Sequence, residues 1–118
     1  MTPDRLAEVM RAMSDPLRLR ILGLVKPGEL CVGELVAALH VSQPTVSQHL
    51  ARLKAARLLK SHRRGQRAFY ELDPEPEVTR LVEAALGVVG PLGREWSRLK
   101  VFAADSAARR RQPPHDED

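Results

Sequence analysis

The stretch Val32–Ala55, VGELVAALHVSQPTVSQHLARLKA, constrains this chain more than any other. Leu35, Val36 and Leu39 recur at helical spacing and mark one apolar face. The periodicity breaks at His40-Val41-Ser42. Ser42 is suited to N-cap a second helix, and Pro44 to sit in its first turn, where no amide partner is needed. In that second helix Val46, Leu50 and Leu53 fall at i, i+4 and i+7, a narrow stripe that must pack inward. At about 100° per residue, the opposite arc carries Thr45, Ser47, Gln48 and Arg52. That arc offers hydroxyls, an amide and a guanidinium, and no acid. Such groups hydrogen-bond base edges in a major groove and meet phosphates. The competing reading is a solvated surface helix, but such faces usually mix both signs of charge.

The charge map supports the first reading. From Ser42 to Leu72 there are seven Lys or Arg and one acid, Glu71. Residues 1–41 balance five bases against five acids, and residues 73–118 hold seven against nine, so the middle third carries the whole formal charge of +4. A basic stripe on a two-helix unit is the electrostatic footprint of nucleic-acid binding. Aromatic residues make up only 3% of the chain, which argues against the stacking platforms that bind single strands or RNA.

The flanking sequence predicts a mainly α (α+β) fold with a single β-hairpin. Thr2-Pro3 caps a first helix to about Met13, with Arg5, Glu8 and Arg11 along its charged side. Ser14-Asp15-Pro16 opens a second helix to about Val25, on which Arg18 and Arg20 read as solvated or as touching phosphates. Lys26-Pro27-Gly28 is a turn, and Glu29–Val32 leads extended into the central unit. Leu58–His62 and Arg67–Leu72 read as two strands with Arg64-Gly65 near the tip. A hairpin ending in Arg63, Arg64 and Arg67 is a wing suited to lie along a sugar-phosphate backbone; a plain solvated hairpin is the alternative.

After Asp73–Pro76 comes a helix with a wide stripe of Val78, Leu81, Val82, Ala85, Leu86 and Val89, then a break at Gly90-Pro91 and a segment with Leu92, Trp96, Leu99 and Phe102. Leu6, Val9, Leu81, Val82, Leu86 and Trp96 are expected to build a dimer face from the N- and C-terminal helices, since this apolar surface exceeds what a small winged domain needs. One domain is expected over 1–104 and a disordered tail over 105–118, where charge blocks and Pro-Pro replace periodicity. One cysteine and no long apolar run fit a cytoplasmic protein with no membrane contact.

Three ordered motifs carry a family resemblance: MSDPLRLRIL over 13–22, ELCVGEL over 29–35 and VSQPTVSQHL over 41–50. Over about residues 4 to 89 the chain resembles the ArsR/SmtB family of winged helix-turn-helix repressors. The resemblance implies a homodimer that binds an inverted-repeat operator in double-stranded DNA and releases it when an inducer binds. It places the recognition helix over Gln43–Ala55, with Gln43, Thr45, Ser47 and Gln48 as DNA-contacting positions. His49 matches a histidine common in that helix, read either as a phosphate contact or as packing. Arg52 is added from the helical arc alone.

The sensor departs from the family pattern. The metalloid-sensing branch carries two cysteines one residue apart, and here Cys31 fills the first position and Gly33 the second. The zinc-type branch uses acids and histidines on its last helix, and residues 76–104 contain no histidine. His40 and His62 read as isolated, so no metal site and no cofactor are expected. Cys31 is left as a possible redox sensor, or as a buried apolar residue, and the effector is unknown. No catalytic site is read, because Ser47 and His49 sit two apart on one helix and do not face each other. The rival to specific DNA binding is a winged protein–protein docking module.

Overall fold

The computed structural model describes residues 1–89 and 92–99. The expected tail over 105–118, Phe102 and the Gly90-Pro91 break lie outside the described residues. The elements run α1 (Pro3–Met13), α2 (Pro16–Val25), β1 (Leu30–Cys31), α3 (Val32–Leu39), α4 (Gln43–Ala55), β2 (Leu59–Arg64), β3 (Arg67–Leu72) and α5 (Pro76–Leu86). A further helical run, α6, covers residues 93–99.

Each of the first helix starts follows from its cap. The Thr2 hydroxyl accepts from Arg5 N–H at 3.1 Å, and Asp15 Oδ2 accepts from Leu17 and Arg18 at 2.9 and 3.0 Å. Pro follows each cap at the first helical position, where its missing N–H costs nothing. The turn between α3 and α4 depends on His40, whose φ of 57° ends α3 in the left-handed conformation.

The two Asp15 bonds also set a pH dependence. They hold the carboxyl below its ordinary value, the Arg18 amide contributing most and burial opposing it. A carboxyl lowered by folding stabilises the fold above its unfolded value, and that stabilisation fades as pH falls through the folded value. Asp15→Ala should cost about 1 kcal/mol at neutral pH. In urea melts the gap to wild type should narrow as pH falls below the ordinary carboxylate range. An unchanged gap there would assign the cost to something other than the charge.

The sheet has three antiparallel strands in the order β1-β3-β2, so the expected hairpin gains a short third strand from Leu30-Cys31. Register pairs Leu59 with Leu72 and Arg64 with Arg67, so the tip is a two-residue turn at Gly65-Gln66, with Gly65 at a φ of 64°. The inner face of the sheet, Leu30, Tyr70, Leu72 and Leu59, packs on one core with Ile21, Leu22, Leu35, Leu50, Leu53 and Val78.

The core corrects the expected dimer face. Val9 and Val82 are 0% exposed in the single chain, so they belong to the monomer's own core. Leu81, Leu86 and Trp96 are half-buried against it. Leu6 stays outside at 38%, joined by Met10 at 53% and Val88 at 88%. The charged side of α1 is likewise divided: Arg5 donates to the carbonyls of Ala56 and Arg57 and pairs with Glu75 at 3.6 Å. A guanidinium there meets the negative end of α4 and ties α1 to it.

Candidate nucleic-acid interface

Helix α4 divides as its stripe requires. Val46, Leu50 and Leu53 are fully buried, whereas Gln43, Gln48 and Arg52 are exposed or half-exposed, as are Thr45 and Ser47. Two of the small polar groups are organised at the helix start. Ser42 Oγ lies 2.9 Å from Thr45 Oγ1 and accepts from Thr45 N–H at 3.4 Å, and Gln43 Nε2 donates to Ser47 Oγ at 3.2 Å. Gln48 and Arg52 are left to present an amide and a fixed cation to solvent.

His49 lies elsewhere than at the front of this surface. Its imidazole is 20% exposed, with Nδ1 3.1 Å from Arg18 Nη1 and 3.8 Å from Asp15 Oδ2. A guanidinium only donates, so in this contact Nδ1 is the acceptor. Arg18 Nε also donates to the Ala12 carbonyl at 2.6 Å. The reading of Arg18 as a solvated or phosphate-touching cation is therefore corrected, and His49 is a positioning residue that seats α4 on the start of α2. The sequence could not show this, because 31 positions separate the two partners.

The wing follows α4 directly through Ala56-Arg57-Leu58. Arg63 and Arg67 are exposed at its tip, with Arg63 Nη1 3.3 Å from the Gln66 carbonyl. Arg64 folds back instead. Its guanidinium lies 4.2 Å over the Phe69 ring and pairs with Glu29. The basic stretch thus acquires an acid in space, from a loop that precedes it in the chain. Arg64 and Arg67 stand opposite each other across the strands. Like charges in that position repel, and Glu29 on one of them lowers the cost.

His62, expected to be isolated, is not. Nε2 stands 3.0 Å from Glu29 Oε1 and Nδ1 3.7 Å from Glu71 Oε2. This is the one grouping of three potential metal ligands among the described residues. Both carboxylates already have protein cations, Arg64 on Glu29 and Lys60 at 4.0 Å from Glu71. The cluster is an ion-pair network that ties the wing to the loop before β1.

Cys31 N-caps α3 and is 6% exposed. Its backbone N–H donates to Glu34 Oε1 at 2.9 Å. Burial pushes the thiol above its ordinary value, and the Glu34 carboxylate beside it adds to the rise. A reactive sensor thiol needs the opposite, a lowered value and access to solvent. The geometry therefore favours the buried apolar role over the redox one. Among the described residues no helix is long and apolar enough to cross a membrane.

Residues 15–61 match the family described as bacterial regulatory protein, arsR family. The chain is 38% identical over 107 residues to the arsenic resistance transcriptional regulator ArsR1 of Pseudomonas putida, an alignment covering 90% of this chain and 82% of the relative. The chain belongs to the ArsR family. It is 40% identical over 65 residues to the transcriptional repressor SdpR of Bacillus subtilis, spanning 55% of this chain and 72% of that one. It also resembles the solution structure of a homodimeric winged helix-turn-helix DNA-binding domain from Mycobacterium bovis. There the TM-score is 0.66 and the identity 33%, over 72% of this chain and 78% of that chain. This ArsR-family chain is a DNA-binding transcriptional regulator and not an enzyme, and the docking-module alternative is not favoured.

Proposed function

We propose that this ArsR-family chain is a homodimeric repressor that binds an inverted-repeat operator. Helix α4 of each copy enters one of two successive major grooves about 34 Å apart. Gln43, Thr45, Ser47 and Gln48 face the bases and adjoining backbone, while Arg52, Arg63 and Arg67 meet phosphates. The observation that carries this reading is the division of α4, with Val46, Leu50 and Leu53 fully buried and Gln48 and Arg52 left to solvent. Repression is supported by the relative named a repressor, and dimerisation by the homodimeric M. bovis domain. The action belongs in the cytoplasm, where such a regulator meets its DNA.

The dimer face of this proposal is the outer side of α1, where Leu6 and Met10 remain exposed. Leu6→Asp with Met10→Asp should shift the protein from dimer to monomer in sedimentation and weaken binding to a full inverted repeat. Dimeric mass in that variant would refute the face. The operator is tested by fluorescence anisotropy on the DNA upstream of the gene against a scrambled duplex. Specific binding should weaken steeply with salt, with a log–log slope of about −0.9 per phosphate neutralised. A shallow slope and indifference to sequence would overturn the operator reading.

A further inference from the structure

Helix α2 has a second side that DNA binding does not use. There it meets the end of α5 and the start of α6 around a cavity of about 340 Å³ that opens to solvent. That volume falls in the range of small-molecule sites. Leu19, Gly23, Leu86, Val89, Leu92 and Trp96 give it apolar walls. Arg20 and Lys26 stand among the lining residues as its two cations. One acid answers them: Glu95 Oε2 lies 3.4 Å from Arg20 Nε. Among the described residues the site is therefore apolar within and carries one positive charge more than its acids balance.

We propose that this cavity is an effector site and that its ligand is a medium-chain monocarboxylate. The alkyl chain lies against Trp96 and the leucines, and the carboxylate meets Arg20 and Lys26. A guanidinium matches a carboxylate's planar pair of oxygens, and a single negative charge balances the site. Gly23 lets Leu92 close against α2 at the cavity wall, since a Cβ there would lie 3.0 Å from Leu92 Cδ1, and a larger side chain would be driven into the cavity.

Binding is coupled to DNA through α2 itself. The helix that lends Leu19, Arg20 and Gly23 to the cavity holds α4 on its other side, through Ile21 and Leu22 in the core and Arg18 on His49. A ligand that spreads α2 from α5 shifts the seat of the recognition helix. This consequence rests on the DNA-binding reading, whereas binding to the cavity does not.

Trp96 is the only tryptophan, so its emission reports on the cavity directly. Titration of the full chain with hexanoate, octanoate and decanoate should give a saturable change. Affinity should rise about fourfold per added methylene until the cavity is full. Arg20→Gln with Lys26→Gln should weaken decanoate at least tenfold, and Gly23→Leu should abolish binding with the far-UV dichroism retained. A flat titration, or decylamine binding as well as decanoate, overturns the assignment.

Operator anisotropy gives the second readout. Decanoate should release DNA from the wild type and leave Gly23→Leu bound. Saturable Trp96 binding with operator affinity unchanged would overturn the effector role and keep the site. If the ligand-free protein binds no operator, the DNA reading has failed, and the Trp96 titration still decides the cavity.

Discussion

Replacing Arg52, Arg63 and Arg67 together with alanine should flatten the salt dependence of operator binding. Every phosphate that goes without its cation takes about 0.9 off the log–log slope, so the six lost from a dimer take off about 5.4. At low salt the affinity should fall by orders of magnitude, because pairing with phosphates supplies most of the non-specific binding. The fold should be indifferent to the change. All three side chains are exposed, and surface substitutions away from special features cost within about 0.5 kcal/mol. Gln48→Ala should behave differently. It removes no charge, so the slope stays, while discrimination at one base pair relaxes by about 1–3 kcal/mol if the amide reads the base in bidentate fashion. A triple variant with the wild-type slope would mean that these cations do not face DNA. Arg64→Ala would mix wing stability with charge, because Arg64 packs on Phe69 and pairs with Glu29.

On the opposite face of the same helix, Leu50→Ala should cost stability instead. Leu50 is fully buried in the cluster that joins Leu35, Leu53 and Val78. Truncating such a leucine removes its transfer free energy and leaves a cavity, together about 2–5 kcal/mol. Against a total stability of about 5–15 kcal/mol, that lowers Tm by on the order of 10–20 °C. Melts must be compared at one protein concentration, since dimerisation makes Tm depend on it. The contrast is the informative part: Leu50→Ala should lower Tm, and Gln48→Ala should leave it in place. The reverse pattern would turn the helix over and put the wrong face on DNA.

Much of the fold was legible because its signals are local. The caps at Thr2, Asp15 and Ser42 and the buried stripe of α4 each depend on residues within a few positions of one another. The strands of the wing were legible in the same way, from alternation and a glycine at the tip. The division of α4 into a buried stripe and a polar arc, which carries the function, needed only helical periodicity. The family motifs over 13–22, 29–35 and 41–50 then tied that division to DNA.

What failed were readings of partnership across distance. Periodicity put Val9 and Val82 on apolar faces, but a stripe does not say whether its own chain or a second copy covers it. Charge counting made residues 42–72 almost acid-free, and Glu29 arrives from outside that window to hold both Arg64 and His62. For His49 the sequence left phosphate contact and packing open, and its partners Arg18 and Asp15, from the start of the helix behind, favour packing.

By itself the sequence determined where the helices and strands start, which side of α4 is buried and where the positive charge lies along the chain. Those properties follow from backbone capping and side-chain period, which act within a turn or a strand pair. Only the tertiary structure decided which of the exposed cations remain available to DNA. It also decided that Cys31 is buried beside Glu34, and that α2, α5 and α6 enclose a cavity rimmed by Arg20 and Lys26. Those outcomes depend on which distant segments the packed core brings within a few ångströms, and no local pattern encodes that choice.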